Sequence, residues 1–237
     1  MPGYLAGVRS LIPPLSLPGV YAPQEDTALL AGALSEEPLP PGAHVLDVGT
    51  GTGALALQAA RRGSRVTAVD VSWRAVCTAR ANAWLTGASV RVHRGNLFTP
   101  VRDQSFDLIL TNPPYVPAPT RNGRPPRGRA RAWDAGHDGR AVLDRVCREA
   151  PGLLRPGGVL LIVHSALSDP GRTVGHLRGA GLKAAVTRRH RIPFGPVLQG
   201  RVDWLRQRGL LSADACDASD AADEKEELVV VRAELPV

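Results

Sequence analysis

The ten residues His44-Val45-Leu46-Asp47-Val48-Gly49-Thr50-Gly51-Thr52-Gly53 constrain the fold of this 237-residue chain more than any other stretch. An apolar run of strand length ends in three glycines spaced two apart, and an alanine- and leucine-rich segment follows at once. Only glycine adopts left-handed backbone at no steric cost, so the chain can turn sharply there and bring its backbone close to a ligand. The helix that follows would present unpaired N–H groups to that ligand. Strand, glycine turn and helix in this order belong to a parallel sheet with crossover helices.

The alternation continues along the chain. Strands are predicted at Ala43–Val48, Arg65–Asp70, Val90–His93, Phe106–Thr111 and Val159–His164, and helices at Gln24–Leu34, Thr52–Arg62, Ser72 to about Thr86, and about Arg140 to Leu154. Ser72 is a good N-cap. Near the end, Leu182–Arg189 and Leu228–Ala233 read as strands around a short helix at Arg201–Arg208. The expected fold is α/β and Rossmann-like: a seven-stranded, mostly parallel sheet with helices on both faces and an antiparallel last strand. The length suits one domain, with residues 1–42 as an N-terminal arm and helix over the ligand site and residues 43–237 as the main domain.

Charge and cysteine content exclude several classes. The formal net charge is +7, but Ser212 to Glu227 holds seven acids against Lys225, so a local −6 sits beside a body of +13. The acidic stretch reads as a solvated surface loop. Arg121, Arg124, Arg127, Arg129 and Arg131 form a basic stretch after the fourth strand, and Arg188-Arg189-His190-Arg191 form another. Such stretches attract an acidic protein or a nucleic acid, or are merely solvated. The strongest apolar run, Val159 to Val163, is too short to cross a membrane, and Pro2, Pro13, Pro14 and Pro18 interrupt any secretory signal. Cys77, Cys147 and Cys216 are odd in number and form no CxxC, so neither a disulfide framework nor a metal site is expected. A reducing cytoplasm is the natural compartment. Trp73, Trp84 and Trp204 read as packing residues, Cys77 and Cys147 as helix-borne core residues, and His164 as structural.

Asp70 ends the second strand seventeen residues after Gly53, where a carboxylate can accept both hydroxyls of a ribose. The spacing GxGxG differs from the GxGxxG that cradles a pyrophosphate. Asp47 would repel a pyrophosphate, but it attracts a sulfonium and an amino group. Together these favour S-adenosylmethionine over a dinucleotide. After the third strand comes Gly95-Asn96-Leu97-Phe98, with Val71 and Leu97 placed to flank an adenine and Asn96 to bond its edge.

The chemical motif is Thr111-Asn112-Pro113-Pro114-Tyr115, directly after the fourth strand. The Asn112 side-chain oxygen and the Pro113 carbonyl are two acceptors for the two N–H bonds of a planar –NH2 group. The prolines fix the backbone that presents them. Tyr115 offers an aromatic face for a planar substrate. Methyl transfer from a sulfonium needs positioning more than acid–base chemistry, and no metal.

Taken in order, Asp47-Val-Gly-Thr-Gly-Thr-Gly, Asp70, Gly95-Asn96-Leu-Phe and Asn112-Pro-Pro-Tyr resemble a class I S-adenosylmethionine-dependent methyltransferase. More narrowly they resemble the HemK family of protein-glutamine N5-methyltransferases, which modify the GGQ loop of translation release factors. Val20-Tyr21-Ala22-Pro23-Gln24-Glu25-Asp26-Thr27 and Trp133-Asp134-Ala135-Gly136-His137-Asp138-Gly139-Arg140 are similar to segments of its short branch. The resemblance implies that Tyr21 and Thr27 border the methionine end of the cofactor and that Asp47, Gly49 and Gly51 hold its amino-acid portion. Asp70 would hold the ribose, while Asn112 and Pro113 bind the target amide. It also implies a protein substrate such as a release factor and, as in other organisms, a small zinc-binding activating subunit. Asn96 departs from the Asp common in the family, and only about forty residues precede the first strand, so the long N-terminal domain of larger members is not expected. Two other readings stand beside this one: N-methylation of an exocyclic base amine in RNA or DNA or of a small metabolite, and a non-catalytic cofactor-binding scaffold.

Overall fold

The computed structural model describes residues 15–119, 128–211 and 225–237. The arm before residue 15, Arg121, Arg124 and Arg127, and the acidic stretch from Ser212 to Glu224 lie outside the described residues. Within them run α1 (Glu25–Glu36), β1 (His44–Val48), α2 (Ala54–Arg61), β2 (Arg65–Asp70), α3 (Trp73–Leu85), β3 (Val90–Arg94) and β4 (Phe106–Thr111). Then come α4 (Leu143–Glu149), β5 (Leu154–Ser165), α5 (Pro170–Gly179), β6 (Lys183–Pro193), α6 (Pro196–Gln199), α7 (Val202–Gln207) and β7 (Lys225–Glu234).

The seven strands lie in the order β3-β2-β1-β4-β5-β7-β6. The pairs from β3 to β5 are parallel, and β7 inserts antiparallel between β5 and β6. That is the expected architecture. The central strands read as nearly unbroken apolar runs because helices cover both of their faces. Parallel crossovers are right-handed. The chain steps one way from β1 to β3 and the other way from β4 to β5, so α2 and α3 fall on one face and α4 on the other. α1 packs with α2, and α5 with α4. Between β1 and β4 the crossovers diverge, which opens a crevice beyond the carboxyl ends of the strands.

Leu29, Leu30 and Leu34 of α1 share one continuous core with Val45, Leu46, Ile109 and Leu160 of the sheet. Residues before α1 are tied down as well. Asn82, fully buried on α3, accepts from Leu15 N–H (2.8 Å) and donates to the carbonyls of Leu15 and Thr52 (each 2.9 Å).

Several expectations change. The helix expected from Arg140 to Leu154 is only Leu143–Glu149, because Ala150–Leu153 tightens into a 3-10 turn at Pro151 and β5 already begins at Leu154. Helix α5 was not expected. Three of its ten residues are glycine and only Thr173 and Leu177 are buried, so its apolar period is faint, and its clearest signal is the Asp169 cap before Pro170. Trp73 and Trp84 are not packing residues: Trp84 is 81 % exposed. Helix α3 turns small residues such as Ala75, Ala79 and Ala83 to the core, and the two tryptophans, close to three full turns apart, share its outer face. Cys77 is likewise exposed, whereas Cys147 is buried as expected.

Candidate functional site

The glycine turn is built as its sequence implies. Gly49, Gly51 and Gly53 have φ of +76°, +55° and +87°, a backbone that disfavours any side chain. Val69 O accepts from Gly49 N–H (2.8 Å) and Thr50 N–H (3.1 Å), which fixes the turn to β2. A Cβ on Gly49 would lie 3.6 Å from the Asn112 carbonyl oxygen, and one on Gly51 would lie 3.5 Å from the Tyr21 carbonyl oxygen. The folded chain therefore gathers Tyr21, the glycine turn and the Asn112 motif, which lie far apart in sequence, around one point at the crevice.

Asp47, at the end of β1, is 1 % exposed. Its Oδ2 accepts from the Thr50 hydroxyl (2.6 Å) and from Ala56 N–H (3.1 Å), while Oδ1 is buried with no donor. Burial pushes its carboxyl up to about 6, against the pull of those two donors. Asp70 accepts from Gly51 N–H (3.0 Å) and Ser72 N–H (2.8 Å), so it closes the glycine turn as well as ending β2. Burial raises its pKa, offset by these donors and by the charge of Arg131 nearby. The charge of Arg131, from the basic stretch, thus reaches the Asp70 carboxylate.

The turn after β3 follows from the same corner. Gly95 N–H donates to Asp70 O (2.9 Å), which sets Asn96 and Leu97 beside Val71. Val71 and Leu97 are half-buried, and Leu97 holds a left-handed φ of +51°, a strained value for a residue with a side chain. Asn96 is exposed and its Oδ1 accepts from Arg145 Nη1 at 3.1 Å, so this departure from the family pattern comes with a partner of its own.

The Asn112 motif is anchored from both sides. Thr111 Oγ1 donates to Val48 O (2.9 Å), and Asn112 Nδ2 donates to Thr27 Oγ1 (3.4 Å), which leaves the amide oxygen facing away from Thr27. Tyr115 differs from its expected role as an open platform. It is only 8 % exposed, and its hydroxyl donates to Asp26 Oδ2 (3.1 Å) beside that of Tyr21 (2.8 Å). Its ring is an anchor beneath the site, because the motif turns back into the core after Pro114.

Beyond Tyr115 the chain pairs with the second glycine-rich segment. Val116 N–H donates to Trp133 O (2.8 Å), Ala135 N–H to Val116 O (3.0 Å) and Ala118 N–H to Gly136 O (2.8 Å). Ser168 Oγ donates to Tyr115 O (2.6 Å). Buried Arg140 bonds Asp144 (2.8 Å), Asp169 O (2.9 Å), Thr173 Oγ1 (2.8 Å) and Ser168 O. From α7's N-cap, Arg201 donates to Pro117 O (2.9 Å) and pairs with Asp134 (2.7 Å), clamping both segments. His137 stacks on Trp204, which fits a loop residue better than a base.

Asp26, Glu226, Arg201 and Ser168 escaped the sequence reading. Asp26 looks like an ordinary first-turn acid, the kind that complements a helix dipole. Glu226 belongs to the acidic stretch expected to be solvated, yet it is 6 % exposed at the start of β7. Its burial follows from register: Ser165 pairs with Leu228, so Glu226 sits just past the carboxyl end of β5, near enough for the charge of Asp26 to act on it.

Comparison with known proteins identifies the family. Residues 14–122 match the methyltransferase small domain. A protein of Methanocaldococcus jannaschii assigned as a protein N5-glutamine methyltransferase is 35 % identical over 178 residues, covering 75 % of this chain and 88 % of that one. The release factor glutamine methyltransferase of Gloeobacter violaceus is 41 % identical over 137 residues, 54 % of this chain and 48 % of that one. The ribosomal protein uL3 glutamine methyltransferase of Bradyrhizobium diazoefficiens is 44 % identical over 138 residues, 55 % and 43 % of the two chains. The alignments thus span about half the length of these two bacterial relatives. Among solved structures, the E. cuniculi Mtq2–Trm112 complex, responsible for methylation of the eRF1 termination factor, superposes with a TM-score of 0.63 at 22 % identity, covering 92 % of this chain and 99 % of that one. The T. thermophilus 16S rRNA N2 G1207 methyltransferase, solved with AdoMet and guanosine, gives 0.57 at 22 % identity over 93 % of this chain and 46 % of that one. A relative that alike across most of both chains shows the family: this chain belongs to the protein N5-glutamine methyltransferase family.

Proposed function

We propose that this protein transfers a methyl group from S-adenosylmethionine to the side-chain amide nitrogen of a glutamine in a protein, with a translation release factor as the substrate. The observation that carries the reading is the position of Asn112. Its amide is held by Thr27 with the oxygen turned outward, beside the glycine turn at the mouth of the sheet.

The residues fit the cofactor. Asp47 Oδ1 is a buried acceptor lacking a donor, the partner an ammonium group would supply. Gly49 and Gly51 line the approach without side chains, Asp70 lies on the ribose side, and Val71, Asn96 and Leu97 form the base side. Tyr21 and Thr27 close the methionine end. When bound, S-adenosylmethionine supplies a methyl group on a positively charged sulfur. The chain's own task is to hold the acceptor. Asn112 Oδ1 and the Pro113 carbonyl accept the two amide N–H bonds, and the nitrogen lone pair is left perpendicular to the amide plane. Such orientation supplies roughly 7–11 kcal/mol of a barrier. Transfer would form the N–C bond as the sulfur–methyl bond breaks and its electron pair returns to sulfur, and the nitrogen would then shed a proton to water, so no side chain is needed as a base. Residues 15–20 and α1 act as the cover of the site: Leu15 bonds Asn82 of α3, and Asn82 in turn donates to Thr52 O of the glycine turn.

Two further parts belong to the proposal. A small activating subunit is expected to co-purify, since Mtq2 was solved with Trm112. The work is placed in the cytoplasm, where release factors act; no helix among the described residues is long and apolar enough to cross a membrane.

The test is incubation of the purified protein, with and without a Trm112-like subunit, with labelled S-adenosylmethionine and unmodified release factor. Label is expected on the GGQ glutamine by peptide mass spectrometry. Asn112→Ala is expected to bind the cofactor as before and to transfer nothing. Label that follows RNA, or transfer by Asn112→Ala near the wild-type rate, overturns the reading.

A further inference from the structure

A chain of hydrogen bonds leads one way from the acceptor site into the core. Asn112 Nδ2 donates to Thr27 Oγ1 at 3.4 Å, and the Thr27 hydroxyl donates to Asp26 Oδ1 at 3.2 Å. Thr27 N–H donates to the same oxygen at 2.6 Å. Asp26 Oδ2 takes the hydroxyls of Tyr21 (2.8 Å) and Tyr115 (3.1 Å). Asp26 is 3 % exposed, so every donor it uses comes from this chain.

We propose that Asp26 is a positioning residue for the transfer: it dictates which way the Asn112 amide faces and strengthens its oxygen as an acceptor. This rests on the reading that Asn112 binds the target amide. A carboxylate only accepts, so it commits the single hydroxyl proton of Thr27 to itself. Thr27 then has only lone pairs for Asn112, and Asn112 must turn its –NH2 inward and its oxygen outward. An outward –NH2 would instead meet the –NH2 of the target, donor against donor. Aligned donors ending on a buried anion also polarise one another, which makes the outward oxygen more negative. The two tyrosines remain donors because burial, with Asp26 beside them, raises both their pKa values.

An anchoring role alone would have Asp26 and its tyrosines merely fasten α1 to the core. The two roles separate in a double-mutant cycle. Asp26→Asn supplies an –NH2 that can donate to Thr27 and release Asn112 to turn over. Thr27→Val breaks the chain at its middle link while sparing the bonds from the tyrosines to Asp26, so it remains informative if Asp26→Asn folds poorly. Each is expected to lower kcat about tenfold to a hundredfold, the scale of one hydrogen bond to a charged group. Cofactor affinity is expected to fall far less in Asp26→Asn, since Asp26 itself does not border the cofactor. The double variant is expected to be no slower than the slower single, and Thr27→Ser to recover most of what Thr27→Val loses. A second measurement needs no turnover. In protein labelled with 15N-asparagine, the Asn112 side-chain amide, assigned by its loss in Asn112→Ala, is expected to move upfield in Asp26→Asn and Thr27→Val. Effects on kcat that multiply, or an Asn112 resonance that does not move, overturn the proposal. Transfer by Asn112→Ala overturns the acceptor reading instead, and the resonance then still decides whether Asp26 orients the amide.

Discussion

A carboxyl group buried without a full set of donors costs stability, and two lie at the carboxyl ends of this sheet. Asp47 has a donorless Oδ1, and Glu226 has a donorless Oε1. Burial pushes Glu226 up to about 7 from 4.5, partly offset by Ser165, and the charge of Asp26 adds to the rise. The native state therefore binds the Glu226 proton more tightly than the unfolded chain does. The resulting penalty is complete above about pH 7, shrinks as pH falls, and is gone below about pH 4.5. Glu226→Gln is thus expected to stabilise the protein at pH 8, by at most about 3 kcal/mol, and to leave it unchanged at pH 4. Urea titrations at the two pH values check this; equal gains at both would mean that ionisation is not the cause. His164 runs the other way. Burial lowers it to about 4, so its contribution is lost as pH falls from 6.5 toward 4. At this scale the sequence names Asp47, Asp70 and Asn112 by motif. It hides Asp26 and Glu226, because an acid in a helix's first turn or in an acidic stretch looks the same whether it is solvated or buried.

The element that most distinguishes this site is the paired loop after the Asn112 motif. The segment Trp133 to Arg140 is visible in sequence as glycine-rich, but its destination is not. Gly139 has φ of +71°, and a Cβ there would fall 2.2 Å from Tyr115 O and 2.3 Å from Ser168 Oγ. Gly139→Ala must therefore displace the Tyr115 backbone or break the Ser168 bond, besides a left-handed penalty of about 1–2 kcal/mol. It is expected to lower methyl transfer at least tenfold with little change in cofactor affinity, a split seen by comparing single-turnover rates with calorimetric binding. Equal loss of both would place the loop at the cofactor rather than at the acceptor. Arg140 and Arg201 lock the same loop by bonding carbonyls and carboxylates far along the chain, partners that no local pattern announces.

For the whole molecule, the charge and the core tell different stories from their sequence summaries. The basic cluster on β6 is partly neutralised by carboxylates, although Arg189 and Arg191 remain exposed. Arg188 pairs with Glu36, Arg189 with Glu227 (2.5 Å), and Arg191 with Glu227 (3.6 Å), at the far edge of the sheet from β3. Of the five arginines after the Asn112 motif, Arg129 and Arg131 are in a short 3-10 turn; the other three lie outside the described residues. The core is continuous from α1 across the sheet, so a cut in α1 should be felt everywhere. Leu30→Ala, at a fully buried site, is expected to cost about 2–5 kcal/mol. Circular dichroism of the helices and near-ultraviolet signals of the core should lose their midpoints together. Separate transitions would show that α1 is an independent cover.

By itself the sequence determines the sheet and the family. Alternating strands and helices require a parallel sheet, and the glycines at Gly49 and Gly51 and the prolines after Asn112 constrain backbone locally, within a few residues. The family resemblance read from those motifs agrees with the relatives. What only the tertiary structure decides is which polar groups share a buried space. Tyr21, Asp26, Thr27, Asn112, Tyr115 and Glu226 come from both ends and the middle of the chain, and they meet only because the carboxyl ends of β4 and β5 lie beside the start of β7 under α1. Burial and hydrogen-bond direction are properties of that meeting, so they are absent from any single segment.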